Sequence, residues 1–247
     1  MKIIGVIPAR YQSSRFPGKP LADICGKPMI WWVYNQVIKT PELAEVYVAT
    51  DDARIADLCK EYSIKHIMTS NSHSTSTQRV YEVACKIKAD LYVCINGDEP
   101  LIEPSTISKI IPTDIDIKDF YVANLMTPIK RAAEVVDNTN IKVVTDYENN
   151  ALFMSRSPIP FPKSSIDYQY YKHVGVLAYC FDALKFFSNM PKGKNEIIED
   201  INELRFIEHG KKLRMILVEA DTLSVDTPKD LDMIISIINK RQESATL

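Results

Sequence analysis

Several short stretches of this chain carry residue types that could do chemistry on a phosphorylated substrate. The first reads Pro8-Ala9-Arg10-Tyr11-Gln12-Ser13-Ser14-Arg15-Phe16-Pro17-Gly18-Lys19-Pro20 and supplies three cations, Arg10, Arg15 and Lys19, among hydroxyls and turn-forming residues. It follows an apolar run and precedes a helical one, the topological place of a phosphate cradle. The glycine spacing and Lys-Ser/Thr ending of a Walker loop are missing, and no dinucleotide fingerprint is present. A triphosphate carries a charge of about −4 that must be offset before anything anionic can attack it, and clustered cations with open N–H groups do this. The same residue types also suit a solvated basic loop.

The second stretch is Asn96-Gly97-Asp98-Glu99-Pro100, at the end of an apolar run. A carboxylate set there by a glycine turn is well placed to hold Mg²⁺ against phosphate oxygens. Taken alone it reads equally as a plain turn. Asp226, in Val225-Asp226-Thr227-Pro228, reads as a helix N-cap or as a distant carboxylate meeting Asp98 at one metal, and the two readings are compatible. His73, in the polar run Asn71–Arg79, could contact a base or ribose, or be an ordinary exposed loop residue.

These groups matter only if the chain gathers them. Lys2–Ile7, Val46–Thr50, Lys65–Met68 and Leu91–Ile95 read as buried strands, and Met29–Lys39, a segment after Asp51-Asp52 to Tyr62, and Thr77–Lys88 as helices. Strands alternating with helices indicate βαβ units and a parallel sheet. Ligands on such sheets bind beyond the carboxyl ends of the strands, which is where Pro8–Lys19, Ser72–Arg79 and Asn96–Pro100 fall. Arg10–Gly26 reads as a long polar loop. In the second half, Tyr121–Met126, Ile141–Thr145, Val174–Phe181 and Leu213–Val218 read as strands, Glu196–His209 as one amphipathic helix ended by Gly210, and Lys229–Lys240 as a final helix. Ser155–Tyr171 is rich in Pro, Ser and Tyr and reads as an arm or lid.

Composition narrows the class. At 247 residues, with 46% hydrophobic and 25% charged residues, the chain can bury a sizeable core as one α/β domain. Thirty basic against thirty-two acidic residues leave a net charge of −2, so no global field recruits nucleic acid or an anionic membrane. The five cysteines are scattered without a Cys-x-x-Cys or Cys/His cluster, which indicates reduced core residues rather than disulfides or zinc. No apolar stretch approaches the roughly 20 residues of a membrane helix, and the N-terminal run is too short for a signal peptide. The expected location is cytoplasmic.

With these motifs in order, the sequence resembles the 3-deoxy-manno-octulosonate cytidylyltransferase (CMP-Kdo synthetase) family from Ile4 to about Leu231. The resemblance rests on Ile7–Tyr11, Ser13–Leu21, Gly26–Ile30, Val48–Asp51, Gly97–Pro100 and Lys142–Val144, and equally on Ser155-Arg156, His173–Gly175 and Val225–Pro228. It implies a Rossmann-like nucleotidyltransferase fold, α/β with a mostly parallel central sheet and a smaller sugar-binding and dimerisation lobe. Within a single domain over 1–247, the nucleotide-binding part would span about 1–110, the sugar-binding and dimerisation part about 120–215 and the C-terminal helix about 228–240.

The resemblance further implies that CMP passes from CTP to the 2-hydroxyl of Kdo or a close 3-deoxy-2-ulosonic acid, for lipopolysaccharide or capsule, with pyrophosphate released. Ala9, Arg10, Ser14, Arg15 and Lys19 would hold the CTP phosphates, with His73, Ser76, Thr77 and Arg79 enclosing the nucleotide. Arg10, Lys19 and Asp98 would be catalytic, Asp98 and Asp226 would bind Mg²⁺, and Asn96, Arg156, His173, Asn202 and Glu203 would face the sugar acid. The expected partners are CTP, the sugar acid and a second copy of the chain. The family has Gln at Asn96, Gly-Thr-Glu-Arg at Ser76–Arg79 and Leu-Glu-Gln-Leu-Arg at Ile201–Arg205. On a helix, moving a carboxylate by one residue turns it by about 100°. A Glu203 repositioned in this way would pair with the ammonium of 8-amino-Kdo; the alternative is neutral drift in an enzyme for plain Kdo. A sialic-acid-like acceptor fits less well, because the first loop is poorer in glycine than in those enzymes. A catalytically idle nucleotide-binding regulator would lack a carboxylate or loop cation that this chain retains.

Overall fold

The computed structural model describes residues 1–12, 16–113, 120–164, 167–220 and 223–245. The apolar runs of the first half become central strands because β-branched residues fill both faces of a sheet covered by helices. In chain order they are β1 (Ile3–Ala9), the two-residue pair β2 (Asp23–Ile24) and β3 (Lys27–Pro28), α1 (Met29–Val37), β4 (Glu45–Thr50), α2 (Ala53–Glu61), β5 (His66–Met68), α3 (Ser76–Lys86) and β6 (Leu91–Ile95). Asp52 caps α2 as its sequence position predicts, accepting from the Arg54 N–H at 2.9 Å. The second half adds α4 (Pro104–Ser108), β7 (Val122–Pro128), α5 (Ala132–Val136), β8 (Lys142–Thr145), β9 (Ala151–Ser155) and β10 (Tyr171–Tyr179). It closes with α6 (Phe181–Asn189), α7 (Lys194–Glu199), α8 (Leu204–Glu208), β11 (Arg214–Leu217) and α9 (Pro228–Ala245).

Nine strands form one sheet in the order β11-β7-β10-β6-β1-β4-β5, with β8 joined to β10 and β9 to β8. β6, β1, β4 and β5 run parallel; β10 enters antiparallel to β6 and β7. The chain leaves β1 towards β4 and β5, then returns to place β6 on the other side of β1. That reversal opens a crevice between the carboxyl ends of β1 and β6. All five residues of β6 are buried, so the turn after it starts from a fixed floor.

Two sequence expectations change. The polar loop Arg10–Gly26 contains a 3₁₀ turn at Lys19–Leu21 and the strand β2. The helix expected over Glu196–His209 is two short helices, because Asp200 adopts a left-handed backbone (φ 51°) between α7 and α8. A smaller apolar cluster of Ile24, Met29, Val225, Ile234 and Ile238 ties α9 to the β2–α1 region. Each such buried aliphatic contributes about 1.5–3 kcal/mol. The cluster fixes where residue 226 must lie.

Candidate active site

Long-range contacts assemble the floor of the crevice. The Val225 N–H donates to the Asp98 carbonyl at 2.8 Å, which sets Asp226 beside Asp98 although 128 residues separate them. Gly18 has a left-handed backbone (φ 72°) and donates its N–H to the Tyr11 carbonyl at 2.8 Å, turning the chain so that Lys19 points inward. Lys19 Nζ donates to Asp98 Oδ2 at 2.7 Å and to Asp226 Oδ1 at 3.5 Å. Thr227, not Asp226, takes the capping place at α9. Its Oγ1 accepts from the Asp230 N–H at 3.4 Å, while Asp230 Oδ2 accepts from the Thr227 N–H at 2.7 Å. The Asp226 carboxylate is thereby left to the floor.

The crevice is a cleft of about 620 Å³. Arg10 stands exposed at its edge, and Ala9, His73, Ser76, Arg79, Asn96, Asp98, Arg156, Asn202 and Asp226 also line it. On the roof, His73 Nε2 lies 2.6 Å from Glu82 Oε2. Burial works against charge on Glu82, but hydrogen bonds from Lys86, the Ser70 N–H and His73 hold it at about 2. Arg79 is buried and donates to Asp51 Oδ2 at 3.0 Å and to Thr69 Oγ1, bracing α3 against the ends of β4 and β5.

The opposite wall is built from Asn138, Thr139, Arg156, Asp200 and Asn202. Arg156 donates Nε to the Glu199 carbonyl at 2.7 Å, and Nη1 and Nη2 to the Asn138 and Asp200 carbonyls at 3.1 Å each. Gly175 lies in the irregular stretch of β10 between His173 and Leu177, where β10 passes Asn96 and Glu99. A Cβ there would come within 2.6 Å of both side chains, so this close approach requires glycine. Glu99 is buried and accepts from the Gly175 N–H at 3.1 Å, while its Oε2 has no partner among the described residues. Burial, reinforced by neighbouring Asp98, pushes Glu99 up to about 8, which keeps it neutral.

Three expected site residues stand behind the lining rather than in it. The Thr77 hydroxyl is buried, 3.4 Å from the Tyr179 hydroxyl. His173 Nδ1 lies 3.2 Å from Asn124 Oδ1, and the Asn124 amide donates to the Val174 and Val176 carbonyls. The Asn124 oxygen must therefore face the ring, so Nδ1 carries the proton. Burial, with Arg156 and Lys172 nearby, lowers His173 to about 4 and keeps it neutral. Glu203 begins α8 from inside the fold, buried beside Cys94 and Tyr179, and burial raises it to about 7. Glu203 is not turned towards the cleft along a helix, because residues 202–203 form a turn with Asn202 on the cleft side. Ser14 and Arg15 lie outside the described residues. Asn138, Thr139 and Asp200 were not expected in the site; the polar run Asp137-Asn138-Thr139-Asn140 was their one visible signal.

A cleft at the switch point of an α/β sheet, floored by a lysine between two carboxylates and rimmed by arginine, is the site of a nucleotidyltransferase. The chain matches the Cytidylyltransferase family over residues 4–213. It is 42% identical to the 3-deoxy-manno-octulosonate cytidylyltransferase of Escherichia coli, over 94% of each chain. It is 41% identical to the 8-amino-3,8-dideoxy-manno-octulosonate cytidylyltransferase of Shewanella piezotolerans, over 94% of this chain and 96% of that one. Among solved structures, a CMP:2-keto-3-deoxy-manno-octonic acid synthetase complexed with CTP superposes with a TM-score of 0.91 at 40% identity. That match covers 98% of this chain and 100% of the other. The chain belongs to the 3-deoxy-manno-octulosonate cytidylyltransferase family.

Proposed function

We propose that this enzyme transfers CMP from CTP to the 2-hydroxyl of Kdo or its 8-amino analogue, releasing pyrophosphate and supplying an activated sugar for lipopolysaccharide or capsule. The observation that carries the reading is the Lys19 ammonium held between Asp98 and Asp226 at the cleft floor, with Arg10 at the edge and Arg156 on the opposite wall. Arg10 and Lys19, with Arg15 and Ser14 of the same loop, offset the triphosphate, and Ala9, His73, Ser76 and Arg79 shape the nucleotide side. The sugar hydroxyl attacks the α-phosphorus in line: its oxygen bonds to phosphorus and gives its proton to water, the bond from the α-phosphorus to the oxygen bridging to the β-phosphorus breaks, and pyrophosphate leaves with the electron pair. Positioning and charge neutralisation do most of the work in such a transfer.

Two carboxylates converging on one ammonium make a cation-sized space that fits Mg²⁺, which keeps several waters and binds through one or two carboxylates plus phosphate oxygens. Bound there by Asp98 and Asp226, Mg²⁺ would neutralise charge developing on the phosphates. Lys19, which stands between the two carboxylates, would meet the phosphate oxygens as a further cation.

On the sugar side, Asn96, Asn202 and the two remaining N–H groups of Arg156 face the acceptor, and Arg156 suits its carboxylate. Thr77, His173 and Glu203 support this surface from behind. A homodimer is supported by exposed Leu152, Phe161 and Leu217, and by β9, which pairs with β8 alone among the described residues. Light scattering in solution checks it. No helix among the described residues is long and apolar enough to cross a membrane. The test of function is pyrophosphate release with CTP and Mg²⁺, comparing Kdo, 8-amino-Kdo and N-acetylneuraminate. Turnover requiring Mg²⁺ with either octulosonate is expected; turnover with N-acetylneuraminate alone would overturn the sugar assignment.

A further inference from the structure

Lys142, the first residue of β8, is a fully buried lysine with no carboxylate within bonding distance among the described residues. Its Nζ donates to the Asp137 carbonyl at 2.9 Å, the Asn140 carbonyl at 2.7 Å and the Arg156 carbonyl. Those three acceptors use all three ammonium protons. Burying such a charge is costly, and the cost is met only where dipoles replace its water. Burial lowers its pKa, while Asp137 and Glu199 nearby favour the charged form. An aliphatic residue would fill the same strand position without that cost. The carbonyls it gathers belong to two segments that line the cleft.

One segment is the turn carrying Asn138 and Thr139. Asp137 Oδ1 organises this turn locally by accepting from the Thr139 N–H and hydroxyl at 2.8 Å each. Lys172 reaches Asn140 Oδ1 at 3.3 Å from β10. The other segment is the end of β9, where Arg156 sits. Glu199 accepts from the Ser155 hydroxyl at 2.6 Å and the Arg156 N–H at 2.9 Å, so the backbone of Arg156 is held from both sides. The Arg156 guanidinium then reaches back to the Asn138 carbonyl and across to the Glu199 and Asp200 carbonyls. Lys142 thus joins the 137–140 turn to the backbone of Arg156 from beneath.

We propose that Lys142 is a positioning residue for the sugar acid: its ammonium locks the 137–140 turn to Arg156, so that the guanidinium and the Asn138–Thr139 rim stand in binding geometry before the acceptor arrives. The inference rests on the reading of this wall as the sugar side. Without Lys142 three carbonyls lose their donor, the turn and strand separate, and Arg156 loses its aim. The nucleotide floor shares none of these bonds and is left intact.

The test compares full-length wild-type enzyme with Lys142→Met, Arg156→Ala and the double variant in steady-state pyrophosphate release. Lys142→Met is expected to raise the KM for the sugar acid about tenfold, with kcat less affected and the KM for CTP within about twofold. Because Lys142 acts largely through Arg156, the double variant is expected to fall well short of the product of the two single effects. A merely structural lysine would lower Tm and the fraction of active enzyme without separating the two KM values. That result, or effects of the two variants that multiply, would overturn the proposal. An Arg156→Ala variant with unchanged sugar KM would instead overturn the sugar-side reading, and the inference with it. Should Lys142→Met fail to fold, hydrogen exchange on the wild type decides. Amides 138–140 are expected to exchange at similar rates with and without sugar acid, since the turn is already tied. Slowing by about tenfold on adding sugar acid would show that the acceptor orders the turn, and would overturn prior locking.

Discussion

The two walls of the cleft hold their charges in opposite ways. On the nucleotide wall Lys19 meets Asp98 and Asp226, Arg79 meets Asp51, and Glu82 meets Lys86 and His73. On the sugar-side wall Lys142 and Arg156 face backbone carbonyls. Side-chain pairs can exchange partners when a phosphate or a cation arrives. Carbonyls cannot leave without moving the chain. The first wall is therefore arranged to be re-paired during the reaction, and the second to keep a shape.

The harshest test of this contrast is Asp98→Asn. It keeps the side-chain shape and removes one of the two carboxylates, so kcat is expected to fall about 10²–10³-fold. Lys19 retains Asp226, so the circular-dichroism melting curve should stay close to that of the wild type. Unfolding along with inactivation would mean that the nucleotide wall is as structural as its counterpart.

Behind the sugar wall the largest expected effect is on stability. Arg205 pairs with Glu196 through bonds of 2.5 and 2.8 Å, both residues are buried, and the pair clamps α7 to α8 around the turn bearing Asp200 and Asn202. Arg205→Met strands a buried carboxylate and should cost about 3–5 kcal/mol, read from urea unfolding. At the cleft surface, Arg156→Lys keeps the charge and loses the planar fork. The KM for the sugar acid is expected to rise about 10–100-fold while the KM for CTP holds. A parallel rise in both would erase the division between the walls.

The same contrast explains how much the sequence disclosed. The nucleotide wall is made by strand ends and short turns, whose signals are local: apolar β1 and β6, Gly18 before Lys19, and Gly97 before Asp98. The sugar wall depends on partners far apart in the chain. Glu196–His209 carries a helical pattern throughout, and the break at Asp200 coincides with bonds from Arg156, which lies 43 and 44 residues earlier than its two acceptors there. Lys142 looks like an ordinary strand-edge lysine until the Asp137–Asn140 turn closes over it. Asp226 lies between these cases. Its motif was visible, but its capping role passed to Thr227, and only the Val225–Asp98 bond shows which floor it joins.

The smallest expected effect separates Glu203 from the wall it was expected to serve. Burial raises this carboxyl from its ordinary value of 4.5 to about 7. Between those values the folded state keeps a proton that the unfolded state has lost, so stability is fully present below about 4.5 and declines as pH rises towards 7. Glu203→Gln removes that decline. The variant should match the wild type near pH 4.5 and exceed its stability by about 1–3 kcal/mol at pH 8, measured by urea unfolding at both values. Because Glu203 does not line the cleft, the ratio of turnover with Kdo to turnover with 8-amino-Kdo should not move. A changed ratio would show that this carboxylate reaches the acceptor after all, and the sugar wall would then hold a charge ready for re-pairing, like the floor.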